Sequence, residues 1–140
     1  MPESLIEPFL ERAAGDPDGV AMVFVAEDGT ERTMTARDVH AVMAAWAGRL
    51  AVAGVGRGDT VLIVLRHTVD LVGAFWGALY AGGVPCIFPY LTEKLDPAVY
   101  RAQVSALVRP SGARAVVTSA AFRADLEPLV PAACRVLAAD

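Results

Sequence analysis

An apolar run, TVLIVL at residues 60–65, is the feature that most constrains how this chain of 140 residues can fold. Strands that are apolar at successive positions are typical of parallel sheets buried on both faces, whereas half-exposed strands alternate. A helix-like segment from Thr68 to Tyr80 follows, and then a second apolar run, VPCIF at 84–88. The same order of strand, helix and strand is predicted again at 113–119, 120–130 and 134–139. The pattern predicts an α/β fold, with a mostly parallel sheet covered by helices on both faces and right-handed crossovers.

The first third of the chain predicts a helix and a small N-terminal β-hairpin. Ser4-Leu5-Ile6-Glu7 has the form of a capping box, so we expect a helix to begin there and to end at Gly15. Asp28-Gly29 lies between two strand-like runs and suits a hairpin turn, because both residues tolerate positive φ. The tip of this hairpin would carry three carboxylates, those of Glu27, Asp28 and Glu31.

Capping residues predict where the other helices begin. Thr35 and Asp38 form a second capping-box pattern, and apolar residues keep helical spacing from there to Gly54. Asp96-Pro97 predicts a helix that ends at Pro110-Ser111-Gly112, and Ser119 caps the helix at 120–130. Within the helix from Thr68, two glycines spaced as GxxxG are expected to let that helix approach the sheet closely; they are Gly73 and Gly77.

Composition and charge exclude several classes of function. The chain is 55% hydrophobic and only 20% charged, so it is not disordered, and apolar faces that pack against a partner or cause self-association are expected. The formal net charge is −4 with no basic run, so no nucleic-acid partner is expected. Cys86 and Cys134 lie in no CxxC and near no His, which predicts two buried small hydrophobes rather than a disulfide framework or a zinc site.

The chain is expected to be cytoplasmic and to have no membrane span. Its amino terminus, MPESLIEPFLER, lacks the basic start and apolar run of a secretory signal. The uncharged segment 71–92 has the length of a membrane span, but Gly82-Gly83 and Pro85 divide it into a helix and a strand. A membrane-associated helix centred on 71–80 remains as an alternative.

The sequence predicts no catalytic, cofactor-binding or metal-binding residue. A phosphate-binding glycine loop follows a strand and opens a helix, whereas Gly54–Asp59 ends a helix and leads into a strand. This segment is therefore interpreted as a helix C-cap and tight turn, with Asp59 accepting backbone N–H groups. His40 and His67 are paired with no Ser or Cys at a motif spacing. His67 falls at the carboxyl edge of the sheet, where we interpret it as a polar strand-end residue or a helix cap.

Three segments, in this order and spacing, resemble the beginning of adenylate-forming enzymes, the family of acyl-CoA synthetases, fatty acyl-AMP ligases, peptide-synthetase adenylation domains and luciferases. They are MTARDV at 34–39, GVGRGDTVLIVL at 54–65 and DLVGAFWGALYAGGVPCIFPY at 70–90. The positions that match the family pattern are Gly54, Val55, Gly58, Asp59, Val61, Gly77, Ala81, Gly82, Gly83 and Pro89. Two positions depart from it: Tyr80 stands where many members have Lys, and Ile87 where Pro is common. The segment after Pro89 resembles acyl-CoA synthetases and fatty acyl-AMP ligases more than peptide-synthetase domains.

The resemblance implies an enzyme that condenses a carboxylic acid, here a fatty acid, with ATP to an acyl-adenylate and passes the acyl group to a thiol of CoA or a carrier protein. In that family the phosphate loop, the residues near magnesium and the ribose-binding Asp all lie later in the chain. Residues 1–140 would thus form the N-terminal portion of the large domain, with ATP and Mg²⁺ bound elsewhere in the parent enzyme. The piece alone is expected to be inactive, and its main partner would be the remainder of its own enzyme.

A rival hypothesis is a stand-alone α/β binding or interaction module of flavodoxin-like form. Its ligand would lie at the carboxyl ends of the strands, near His67 and the segment 89–91. The two hypotheses differ in whether a Ser/Thr/Gly-rich loop with Lys follows Asp140.

Overall fold

The computed structural model describes residues 4–92 and 94–139. It contains helices, a four-stranded sheet and a separate two-stranded hairpin. In chain order the elements are α1 (Glu7–Gly15), β1 (Val20–Val25), β2 (Glu31–Thr35), α2 (Ala36–Val52), β3 (Thr60–Val64), α3 (Val69–Tyr80), β4 (Val84–Ile87), α4 (Pro97–Ser111), β5 (Ala115–Ser119), α5 (Ala120–Leu126) and β6 (Arg135–Ala139), with a 3₁₀ turn at Glu127–Leu129.

The four strands β3 to β6 form one parallel sheet in the order β4-β3-β5-β6. The two central strands, β3 and β5, pair from Val61 beside Ala115 to Val64 beside Thr118, and all of these positions are buried. Thr118 is fully buried, and its hydroxyl donates to the carbonyl oxygen of Val64 at 3.1 Å. The prediction of a parallel sheet with apolar strands is confirmed.

Helices cover both faces of this sheet, as the sequence predicts. The chain passes from β3 outward to β4 through α3, and then returns past β3 to β5 through α4. Crossovers of a single hand place helices on opposite faces when the direction reverses, so α3 and α4 lie on opposite sides. Two cores result. One joins Trp46, Ile63, Ala74 and Val117, and the other joins Leu62, Tyr100, Val116 and Phe122.

Strand β4 differs from the prediction, because it forms an edge rather than a strand buried on both sides. Val84 and Ile87 are 52% and 50% exposed, and Cys86 is exposed as well. The expectation that Cys86 is buried is therefore wrong, while Cys134 is buried as expected. Burial raises the pKa of the Cys134 thiol. Strand order explains the error: an apolar run does not reveal whether a strand has one neighbour or two.

Pro85 fits this edge position. The N–H of Val84 donates to the carbonyl oxygen of Asp59 at 2.8 Å, and that of Phe88 to Ile63 at 2.9 Å. Because these donors alternate along a strand, Pro85 and Ile87 direct their backbone groups away from the sheet. Proline has no N–H to offer at that edge, so the outer side of β4 is a poor template for a further strand.

The hairpin and the start of α2 form as predicted. Strands β1 and β2 pair antiparallel around a turn in which Gly29 adopts φ +81°, and the three carboxylates lie exposed at its tip. Thr35 accepts a hydrogen bond from the N–H of Asp38, and the Asp38 carboxylate accepts one from the N–H of Thr35. The hydrogen bonds that the Asp38 carboxylate accepts from the N–H and the hydroxyl of Thr35 lower its pKa. The capping box joins β2 directly to α2.

Two predicted helix boundaries are wrong, and proline explains both. Helix α1 begins at Glu7 after Ile6, not at Ser4, and its N-cap makes no side-chain hydrogen bond. A helix from Ser4 would need an N–H from Pro8 to bond the Ser4 carbonyl oxygen, and proline has none. The helix predicted at 120–130 ends instead at Leu126 and tightens into the 3₁₀ turn that contains Pro128.

The two glycines of α3 face helix α2 rather than the sheet, which corrects the expectation from their spacing. A Cβ atom at Gly77 would lie 2.6 Å from Cβ of Trp46 and 2.9 Å from the carbonyl oxygen of Met43. At Gly73 an added Cβ would meet the side chains of Val42 and Trp46. The glycines therefore allow close helix-to-helix contact, and Nε1 of Trp46 donates to Asp70 of α3 at 3.0 Å.

Among the described residues no helix is both long and apolar enough to cross a membrane.

Replacing Gly77 with Ala is expected to lower the free energy of unfolding by about 1–3 kcal/mol, because the methyl group would press on the backbone of α2. The matched control is Gly48→Ala in α2, where an added Cβ meets nothing within 4 Å. That change should instead stabilise by roughly 0.5–1 kcal/mol through helix propensity. Urea unfolding of both variants tests this, and equal stability of the two would contradict the glycine contact.

Candidate functional site at the carboxyl edge of the sheet

The candidate site is a crevice at the carboxyl ends of the parallel strands. The chain leaves β3 toward α3 on one face and leaves β5 toward α5 on the other. In open α/β sheets, ligands bind where neighbouring strands send their connections to opposite faces. We call this hollow the carboxyl-edge crevice; its volume is about 600 Å³ and it is lined by Glu27, Arg66, His67, Tyr90, Leu91, Thr92 and Lys94.

Tyr90 forms the fixed centre of this crevice. Its hydroxyl lies 3.2 Å from Oγ of Ser119, at the end of β5, and its ring meets Phe122 edge-on with centroids 5.8 Å apart. The guanidinium carbon of Arg66 lies 5.4 Å from the centroid of the Tyr90 ring, within cation–π range. The loops that follow β3, β4 and β5 are therefore joined through one aromatic side chain.

A buried tyrosine of α4 holds the segment that carries Tyr90. The hydroxyl of Tyr100 donates to the carbonyl oxygen of Pro89 at 2.5 Å, and its ring packs between Phe88 and Phe122. Burial raises the pKa of Tyr100 to about 12, with a smaller contribution from neighbouring Tyr90. Helix α4 itself starts as predicted at Asp96, whose carboxylate accepts from two backbone N–H groups.

His67 lies at the carboxyl edge, as predicted, and its imidazole ring stacks on Phe24 of the hairpin at 5.2 Å between centroids. It is exposed and acts as a polar strand-end residue. The alternative of a helix cap is wrong, because Thr68 caps α3 by accepting from the N–H of Leu71. Through this stacking the hairpin reaches the crevice and places Glu27 on its wall.

The glycine-rich turn lies at the opposite, amino edge of the sheet. Gly54 and Gly58 adopt φ +86° and +82°, and Oδ2 of Asp59 accepts from the N–H of Gly56 at 2.9 Å. The turn is tied to β4 because the N–H of Gly58 donates to Gly82. The interpretation of this segment as a cap and turn is confirmed, and it lies away from the crevice.

Sequence reasoning named His67 and the segment 89–91 but did not single out Arg66, Thr92 or Lys94. The available signal was position, since Arg66 directly follows an apolar strand and the segment to Lys94 follows the next one. No sequence spacing reveals that these two loops become neighbours.

In residues 4–92 and 94–139, no group of three or more His, Cys, Asp or Glu side chains is arranged to hold a metal ion.

The decrease in the free energy of unfolding at alkaline pH tests the environment of Tyr100. The folded state holds the phenolic proton more tightly than the unfolded chain, whose tyrosine pKa is about 10. The contribution of Tyr100 to the free energy of unfolding is therefore complete below about pH 10 and is lost as the pH rises toward 12. Tyr100→Phe should remove that part of the alkaline decline in the free energy of unfolding. Tyr80→Phe, which changes an exposed tyrosine, should keep it, and identical declines in both variants would contradict a buried phenol.

Comparisons with known proteins agree on one family. The sequence profile described as AMP-binding enzyme matches residues 9–139. An acetyl-coenzyme A synthetase of Thiobacillus denitrificans is 33% identical over 67 residues, which is 48% of this chain and 10% of that protein. Bacitracin synthase 1 of Bacillus licheniformis is 32% identical over 115 residues, 82% of this chain and 2% of that protein.

Solved structures show the same fold. A fatty acyl-adenylate ligase of Legionella pneumophila, in complex with acyl adenylate and pyrophosphate, matches 99% of this chain and 23% of its own with a TM-score of 0.80 at 24% identity. A fatty acid AMP ligase of Legionella pneumophila matches the same shares at 26% identity and a TM-score of 0.75. The architecture is that of the N-terminal part of an adenylate-forming domain.

The chain belongs to the AMP-binding enzyme family. It spans only a small part of the relatives that it matches, 10% of the acetyl-coenzyme A synthetase and 23% of the Legionella ligases.

Proposed function

We propose that this chain is the N-terminal scaffold of an acid-activating ligase. In the reaction of such an enzyme a carboxylate oxygen attacks the α-phosphorus of ATP, forming an acyl-adenylate and releasing pyrophosphate. A thiol then attacks the acyl carbonyl carbon, and AMP leaves. The observation that carries the proposal is the family match over residues 9–139, together with a fold that superposes on adenylate-forming enzymes over 99% of its length.

The role proposed for these residues is structural. The described side chains do not fit a site for ATP and Mg²⁺, since the glycine-rich turn enters a strand and the described part of the chain has no metal-binding cluster. Residues outside this chain would have to hold the nucleotide and the metal. What the chain supplies is a rigid sheet whose carboxyl edge, with Arg66 and Tyr90, forms one wall of the space in which a partner domain would complete the site.

A fatty acid is the substrate that we propose for the whole enzyme. Support comes from the two Legionella ligases, whose structures match almost the entire chain, and from the segment after Pro89. Acetyl-coenzyme A synthetases and bacitracin synthase 1 also match, so the acceptor thiol is proposed as a class, either CoA or a carrier protein. The remainder of the enzyme is the partner proposed to cover the exposed edge at Val84 and Ile87.

Acid-dependent exchange of pyrophosphate into ATP tests the proposal. The 140-residue chain alone should show no exchange above background, because its sequence contains no phosphate loop and its described residues form no metal-binding cluster. The same chain extended through its downstream coding sequence should exchange with fatty acids and much less with short or aromatic acids.

Gly48→Ala in the extended chain serves as a control that should keep exchange, because an added Cβ there meets nothing within 4 Å. Exchange by the 140 residues alone would overturn the scaffold role. An extended chain that folds and is silent with every acid would overturn the ligase itself.

The carboxyl-edge crevice supports a second candidate function, a stand-alone α/β binding module. Its position at the reversal of the crossovers is where such modules place their ligands. The absence of any downstream reading frame with a Ser/Thr/Gly-rich loop would favour this candidate.

A further inference from the structure

Methionines meet at one apolar hollow between the hairpin and helices α2 and α3. The sequence has four methionines, and the three that the structure describes, Met22, Met34 and Met43, all line this hollow. The rest of its lining consists of four valines, Gly73 and Trp76, so no charged side chain and no side-chain oxygen faces it. The space is too narrow to admit a water molecule. We call it the methionine hollow.

Met22 is the methionine of this hollow that solvent reaches. It is half-buried, whereas Met34 and Met43 are 1% and 0% exposed. Met22 pairs with Met34 across the hairpin, and the register of β1 against β2 is irregular between Val20 and Met22. Such an irregularity disrupts the ladder of hydrogen bonds locally. A dissolved oxidant therefore meets Met22 before it meets the other two sulfur atoms.

The position of the hairpin depends on this apolar contact. Strands β1 and β2 form a two-stranded sheet of their own, and a two-stranded sheet is only marginally stable in water. Beyond the methionine hollow, the ring of Phe24 stacks on His67, and the guanidinium of Arg12 donates to the carbonyl oxygen of Val20 at 2.8 Å. A change in the polarity of the hollow should therefore be felt first by the hairpin.

We propose that Met22 is a reversible oxidation site whose sulfoxide form releases the hairpin from α2 and α3. In this step Sδ of Met22 attacks one oxygen atom of hydrogen peroxide. A sulfur–oxygen bond forms, the oxygen–oxygen bond breaks and water leaves. The sulfur is oxidised by two electrons and the peroxide is reduced to water. Methionine sulfoxide reductases reverse such a step. The inference concerns the hairpin and does not rest on acid activation.

The sulfoxide of Met22 does not fit the methionine hollow. Its oxygen is a polar acceptor, no water fits beside it, and the indole N–H of Trp76 is the one side-chain donor in the lining. A buried polar group without a partner is unfavourable, and opening of the hairpin would hydrate it. The same hairpin places Glu27 on the wall of the carboxyl-edge crevice and stacks Phe24 on His67, so oxidation would loosen that wall as well.

Graded treatment with hydrogen peroxide tests the proposal on the chain with Cys86→Ser, which removes the exposed thiol. Peptide mass spectrometry should find sulfoxide at Met22 ahead of Met34 and Met43, because oxidation follows exposure. After oxidation the hairpin amides, as at Val23, should exchange about tenfold faster, because the native contact now buries an unpaired polar group. Treatment with a methionine sulfoxide reductase and a thiol reductant should restore the slow exchange.

Variants at two positions of the hollow separate this site from general oxidation. Met22→Leu conserves an apolar side chain of similar volume and lacks the sulfur, so peroxide should leave its hairpin exchange unchanged. Met22→Ile, whose side chain suits a strand, is measured beside it and should behave in the same way. The matched control is Met34→Leu, which removes a buried sulfur of the same hollow and should keep the acceleration.

Three results would overturn the proposal. They are equal rates of oxidation at Met22, Met34 and Met43, sulfoxide at Met22 without faster hairpin exchange, and the same acceleration in the Met22→Leu and Met22→Ile chains. None of these measurements involves pyrophosphate exchange, so failure of this proposal and failure of the ligase are separate.

Discussion

The parallel pairing of β3 with β5 is the contact on which the rest of the structure depends. Both strands are buried on both faces, so each of them contributes side chains to two separate cores. Ile63 and Val117 face α2 and α3, while Leu62 and Val116 face α4 and α5. Without that pair of strands, helices α3, α4 and α5 could not bury their apolar faces, because both cores are packed against it.

The same pair of strands determines where chemistry can occur. Since their connections leave to opposite faces, an opening remains at their carboxyl ends, and the loops after β3 and β4 bring Arg66 and Tyr90 to it. At the amino ends of the strands, hydrogen bonds from Gly56 to Asp59 and from Gly58 to Gly82 hold the glycine-rich turn against the sheet. The amino edge of the sheet is therefore closed by turns, whereas the carboxyl edge is open.

Local signals in the sequence predicted much of this fold, because caps and turns depend on residues close in the chain. Thr35, Asp59, Asp96 and Ser119 all make the backbone hydrogen bonds expected of them. Strand order, by contrast, depends on distant contacts, so the sequence does not reveal the exposed edge at Cys86. For the same reason the GxxxG spacing does not reveal that Gly77 faces α2 rather than the sheet, and no local pattern shows that the loops at Arg66 and Lys94 line one crevice.

Native-state hydrogen exchange measures most directly whether the β3–β5 pair is the centre of the structure. Amides such as those of Ile63 and Val117 should exchange only by global unfolding, with the same free energy as urea unfolding. The hairpin amides, as at Val23, should open at lower free energy, because a two-stranded sheet has few supporting contacts. Hairpin amides that exchange as slowly as those of β3 and β5, or more slowly, would contradict the account.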